Sequence, residues 1–121
     1  MNLIKTTIEG LYIIEPIILK DKRGYFMESF NQKKFKNLFG EIVFLQDNES
    51  KSSKGVLRGL HFQKPPYAQT KLVRCLKGEI LDIALDLRKK STTYGQFETN
   101  FLSDKNKYEL FIPKGFAHGF I

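Results

Sequence analysis

The 121-residue sequence has no tryptophan, one cysteine, two methionines, two histidines and four prolines. One cysteine excludes an internal disulfide, so nothing covalent staples the chain. That residue, Cys75, lies inside "KLVRCL", where a thiol reads as a small hydrophobe. No apolar run approaches the roughly 18 residues that span a bilayer. The opening "MNLIKTTIEG" lacks the continuous apolar stretch of a secretory signal. These absences predict a cytoplasmic protein with no membrane partner. Repeats, low-complexity tracts and linkers are missing too, and the length predicts a single domain over residues 1–121.

What is present points to an ordered chain with a core. The hydrophobic fraction is 41%, and the 11 phenylalanines fall throughout. The formal net charge is +7. A basic surplus suits an anionic partner such as nucleic acid, phosphate or a membrane surface. It equally suits a solvated surface rich in lysine, and "NQKKFKN" and "LRKKST" read that way. Charge alone decides little.

Most segments alternate apolar and polar residues with period two, the mark of strands. "LYIIEPIIL" is β-rich, and Pro16 interrupts it as at an edge or bend. "DKRG" is a turn and "YFMESF" extends from it. One helix is predicted near residues 31–39, with Asn31 as its cap, Phe35, Leu38 and Phe39 as its apolar stripe, and Gly40 as its stop. Six strands are predicted after it, in "EIVFLQDN", "GVLRGLHFQ", "KLVRCLKG", "EILDIALDLR", "QFETNFLS" and "KYELFIP". Short strands with close turns predict an all-β antiparallel sandwich or barrel. The closing "GFAHGFI" stops on an apolar run, which predicts further strands beyond it, in this protein or its relatives.

The chemistry centres on two histidines, His61 in "GLHFQ" and His118 in "PKGFAHGF". Histidine titrates near neutrality, so either suits proton transfer. Each equally suits a hydrogen-bonded structural place in a strand. In a regular strand Leu57, Gly59, His61 and Gln63 share one face, with Arg58 on the other. Glycine within a strand often marks a bulge. A bulge at Gly59 would bring Arg58 and His61 together. Otherwise Arg58 serves a different pocket or a neighbouring subunit. On "KLVRC" the same period groups Lys71, Val73 and Cys75 and turns Arg74 away. Arg23, Glu28, Gln46, Asn48 and Arg58 complete a polar set on strands and at their ends.

The stretches "DKRGYFMESFN", "QDNESKSSKGVLRGLHFQKPPYAQTKLVRCLKGEILDIALDLRK" and "IPKGFAHGF" closely resemble the dTDP-4-dehydrorhamnose 3,5-epimerase family. The resemblance runs almost end to end. It implies a cupin-like β-barrel (a jelly roll), a homodimer, and a nucleotide-linked 4-keto sugar as substrate. It further implies inversion at carbons 3 and 5 by removing a proton beside the ketone. His61 then matches the base, and Lys71 the cation beside the developing enolate oxygen. Arg23, Glu28, Gln46, Asn48, Arg58 and His118 match positions that bind the nucleotide sugar or line the site.

"PKGFAH" also resembles the second cupin motif, but Gln63 stands where a metal-binding His-x-His pair would have its second histidine. Two histidines beside a lysine make a poor divalent site, so no metal and no cofactor are expected. Two departures from the family pattern stand out. Glu49 in "DNES" replaces a frequent histidine. The family's acid tyrosine and a later aspartate that orients the base lie beyond "GFAHGF". Residues 1–121 by themselves are therefore expected to exchange protons with solvent while forming little product. The rival readings are a 3,4-ketoisomerase, a non-catalytic nucleotide-sugar module, and a basic barrel for single-stranded nucleic acid. The last fits worst, because "YFMESF" and "QFETNF" interleave aromatics with acids instead of bases.

Overall fold

A computed structural model describes residues 1–121. Its elements are β1 (Asn2–Lys5), β2 (Tyr12–Glu15), β3 (Ile18–Asp21), β4 (Gly24–Met27), α1 (Gln32–Phe39), β5 (Arg58–His61), β6 (Lys71–Arg74), β7 (Glu79–Asp86), β8 (Phe97–Ser103), β9 (Glu109–Ile112) and β10 (Phe116–Phe120). One four-stranded sheet runs β1-β2-β9-β6 and a second runs β5-β10-β7-β8. Strands β3 and β4 form a separate hairpin. Every pairing is antiparallel. This is the all-β, cupin-like arrangement with one short helix that the sequence predicts.

The period of two decides which side chains enter the lumen. On β7, Asp82, Ala84 and Asp86 are buried while their neighbours are only half-buried. Leu110 and Ile112 of β9 meet Ala84, Leu102 and Phe116 of the second sheet, with Ile8 and Leu11 closing the cluster. Each fully buried leucine of this kind contributes about 2 kcal/mol of hydrophobic stabilisation. Phe111 points the opposite way and joins Ile14 and Phe35 beneath α1. Phe39 stacks on Phe111 with ring centroids 3.8 Å apart. Strand β9 is thus covered on both faces, which explains why "ELFI" is buried at all four positions.

Helix α1 follows its predicted signals. The Asn31 side chain accepts from the Lys34 N–H at 3.0 Å, and the Gly40 N–H donates to the Lys36 carbonyl at 2.9 Å. Lys71, Val73 and Cys75 share the lumen side as expected, with Val73 and Cys75 against the core. Pro16 separates β2 from β3.

The predicted strand "EIVFLQDN" is not found, because residues 41–57 form no ladder. Ile42 and Phe44 still alternate with exposed neighbours, because they cover the apolar cluster beneath α1. Extended backbone over a core shows period two without a partner strand. Nor is "GVLRGLHFQ" one long strand, since only Arg58–His61 pair.

Candidate functional site

Strand β5 carries the predicted irregularity. His61 pairs with His118 and Arg58 with Phe120, so between these pairs two residues of β5 oppose one of β10. The extra residue falls at Gly59–Leu60 and puts Arg58 and His61 on the same side of the register. Gly59 has φ +119°, and a Cβ there would lie 2.6 Å from the Gly119 Cα and 2.8 Å from the His118 carbonyl oxygen. Only glycine permits so close an approach of two backbones.

The two side chains then part. Arg58 donates to Ser52 Oγ at 2.6 Å and to the Lys51 carbonyl at 3.1 Å. His61 turns into a cleft of about 60 Å³ that it shares with Gln63, Gln69, Lys71 and Phe116. A neighbouring cavity of about 250 Å³ shares Phe62, Gln63 and Gly115 with it and is bounded by Pro65, Pro66 and Lys114. Arg58 borders neither cavity.

Behind the cleft lies a buried pair. His118 Nε2 is 2.6 Å from Asp82 Oδ2, and the two residues are 7% and 0% exposed. The other carboxylate oxygen, Asp82 Oδ1, is buried without a hydrogen-bond partner. Burial pushes the Asp82 carboxyl up from its usual range, while His118 and Lys71 pull it down. Burial lowers the Lys71 ammonium, and the Asp82 charge acts against that. Asp82 is the site residue that sequence reasoning missed. Its available signal was an acid on the lumen-facing period of "ILDIALD", flanked by Ile80 and Ala84.

A second buried acid supports the cleft from below. Asp86 is fully buried, which by itself would raise its carboxyl. Bonds from Arg88 (2.9 Å), Thr93 (2.6 Å) and Ser91 (2.7 Å) instead hold it well below the usual carboxylate range. The Arg88 guanidinium also lies 4.8 Å from the centroid of Phe116, a wall of the cleft. The arginine therefore ties the β7 end to the cleft wall.

The remaining predicted site residues lie elsewhere on the chain. Arg23 sits at the tip of the β3–β4 hairpin and pairs with Asp21 at 2.6 Å, its side chain 91% exposed. Glu28 accepts from Lys34 Nζ at 3.1 Å. Gln46 donates to Asn48 Oδ1 at 3.3 Å in the extended 41–57 segment. All four are outside the cleft that holds His61 and Lys71. No three His, Cys, Asp or Glu side chains are grouped to hold a metal ion. No helix is long and apolar enough to cross a membrane.

A titratable imidazole beside a half-buried ammonium has a definite chemical use. The imidazole can take a proton from carbon, and the ammonium can stabilise the oxyanion that results. Comparisons with known proteins identify the family. Residues 5–121 match the family model described as dTDP-4-dehydrorhamnose 3,5-epimerase. The chain is 58% identical to the enzyme of that name from Shigella flexneri, over 99% of this chain and 67% of the relative. The solved epimerase from Elizabethkingia anophelis is 53% identical with a TM-score of 0.95, covering 100% of this chain and 67% of that one. The Legionella pneumophila epimerase, solved with dTDP-4-keto-L-rhamnose, is 52% identical with a TM-score of 0.93, covering 98% of this chain and 63% of that one. The chain spans about two thirds of the length of the relatives it matches.

Proposed function

The chain belongs to the dTDP-4-dehydrorhamnose 3,5-epimerase family, and from that premise we propose that its cleft acts on dTDP-4-dehydro-6-deoxy-D-glucose. The reaction is inversion at carbons 3 and 5 to dTDP-4-dehydro-L-rhamnose. The observation that carries the reading is that His61 and Lys71 face one small cleft from different strands.

Each inversion begins with loss of a proton from the carbon beside the ketone. The His61 imidazole takes that proton. The electron pair moves toward the ketone oxygen, and the Lys71 ammonium stabilises the enolate. A fixed positive charge in a partly desolvated site is worth more than the same charge in water, because the local dielectric is lower. Return of a proton to the opposite face completes the inversion. No metal is needed when an ammonium serves the oxyanion.

Arg58 and Arg23 suit the diphosphate, since the guanidinium fork matches phosphate oxygens and stays charged. Glu28, Gln46, Asn48 and His118 complete the proposed set that binds the nucleotide sugar. The homodimer is supported by apolar surface left open. Leu19, Tyr25 and Phe26 on the β3–β4 hairpin are 57–69% exposed. A two-stranded hairpin is marginal alone in water, so a second copy packed on it gives it a partner surface. A nucleotide-sugar substrate sets the reaction in the cytoplasm.

The test is NMR of the protein with the 4-keto sugar nucleotide in heavy water, with His61→Asn as control. Deuterium is expected to enter at carbons 3 and 5 with wild type and not with the variant. Equal exchange in both proteins would remove His61 from the role. Binding without exchange in wild type would favour a nucleotide-sugar-binding module. A product with its ketone moved to carbon 3 would favour a ketoisomerase.

A further inference from the structure

We propose that the cavity of about 250 Å³ beyond His61 seats the methyl group at carbon 6 of the sugar, and that it makes the site favour a sugar bearing that methyl. The proposal deepens the reading above, because it rests on His61 and Lys71 facing the reacting carbons.

The strands set the order of the site. β5 and β10 run antiparallel, with Arg58 opposite Phe120 and His61 opposite His118. Beyond His61 the chain continues into Phe62 and Gln63, and on the other strand Lys114 and Gly115 come just before Phe116. These residues border the cavity. His61 therefore stands between Arg58 at one end of β5 and the cavity at the other.

The pyranose ring has a matching order. Carbon 1 carries the diphosphate, and the ketone at carbon 4 lies across the ring from it. Carbon 5 adjoins the ketone and bears carbon 6. With the diphosphate toward Arg58 and the ketone at Lys71, carbon 6 points away from Arg58 and into the cavity.

The lining suits a methyl group. Phe62, Pro65, Pro66 and Ala68 present carbon, and only Gln63 and Lys114 have polar side chains. The cavity joins the cleft of His61 and Lys71 through Phe62, Gln63 and Gly115, so one ring can reach both. The cleft is much the smaller, at about 60 Å³. It takes the reacting edge of the ring, and the substituent beyond that edge falls in the larger space. That space exceeds what one methyl needs, and the surplus has a use. Inversion at carbon 5 carries the methyl from one face of the ring to the other, so both positions must be open. Burial against carbon walls favours the methyl in either position.

The experiment compares dTDP-4-dehydro-6-deoxy-D-glucose with its 4-keto pentose counterpart, which lacks carbon 6, on wild type and Ala68→Leu. Calorimetry gives the affinity for each sugar nucleotide. Wild type is expected to bind the methyl-bearing sugar about fourfold more tightly, the factor for burying one methyl group. In the variant a larger side chain occupies the cavity, and the preference should vanish or reverse. The same preference in both proteins overturns the proposal, and so does its absence from wild type. Deuterium exchange at carbon 3 is followed in the same samples. A preference abolished by Ala68→Leu, without exchange in wild type, defeats the enzymatic reading alone. Exchange in wild type without the preference defeats the proposal alone. Binding of neither sugar defeats both. Should Ala68→Leu fail to fold, Overhauser contacts in wild type decide. The carbon-6 methyl is expected to contact Phe62 and Ala68, and contacts to Arg58 instead, or to neither end, overturn the proposal.

Discussion

Glu109 is 1% exposed at the start of β9, and its Oε2 has no hydrogen-bond partner. Burial pushes its carboxyl up to about 7 from an ordinary 4.5, with only Arg74 acting against the rise. Arg74 is its cross-strand partner. The sign follows from which state binds the proton more tightly. The folded protein holds the proton to higher pH than the unfolded chain does, so folding is favoured where Glu109 is protonated. No penalty exists below about pH 4.5. The penalty grows as pH rises toward 7 and is then constant. The gap corresponds to about 3 kcal/mol. Glu109→Gln keeps the shape and removes the charge. Both neutral side chains leave a buried polar group unpaired, so that cost cancels. The variant should match wild type at pH 4 and exceed it by about 3 kcal/mol at pH 8. Urea unfolding followed by circular dichroism at four pH values measures this directly. A stability difference that stays level from pH 4 to pH 8 would refute the reasoning.

Two further substitutions test the frame. Gly59→Ala meets backbone atoms at 2.6 and 2.8 Å at φ +119°, so it should cost about 1–3 kcal/mol and separate β5 from β10. Urea unfolding reads the cost, and fast amide exchange at Leu60 and His61 reads the separation. Asn31→Ala removes the side-chain oxygen that caps α1 and should cost about 1 kcal/mol in the same unfolding assay.

The parts of the fold set by local rules were readable in advance. Asn31 and Gly40 bound α1 because capping is decided within four residues. The bulge was readable because Gly59 interrupts "VLRGLHF" at a place where only a kink or a close approach explains it. Residues 41–57 were misread because period two reports which side chains are covered, and says nothing about a partner strand. The cleft pair His61 and Lys71 came from the resemblance more than from spacing, since ten residues separate them. Asp82 escaped notice because its partner His118 lies 36 positions after it in the sequence. That contact exists only once β7 and β10 have been laid side by side.

The meeting of Gly59 with Gly119 limits how this sequence can drift. A Cβ on Gly119 would lie 2.6 Å from the Arg58 carbonyl oxygen, just as one on Gly59 would lie 2.6 Å from the Gly119 Cα. Most core contacts can be repaired after a mutation, because a neighbour that grew can be matched by one that shrinks. Nothing is smaller than the hydrogen already present at both positions. A change at either glycine therefore has no second-site cure at the other. The two positions act as separate vetoes on every lineage that keeps a histidine on this strand.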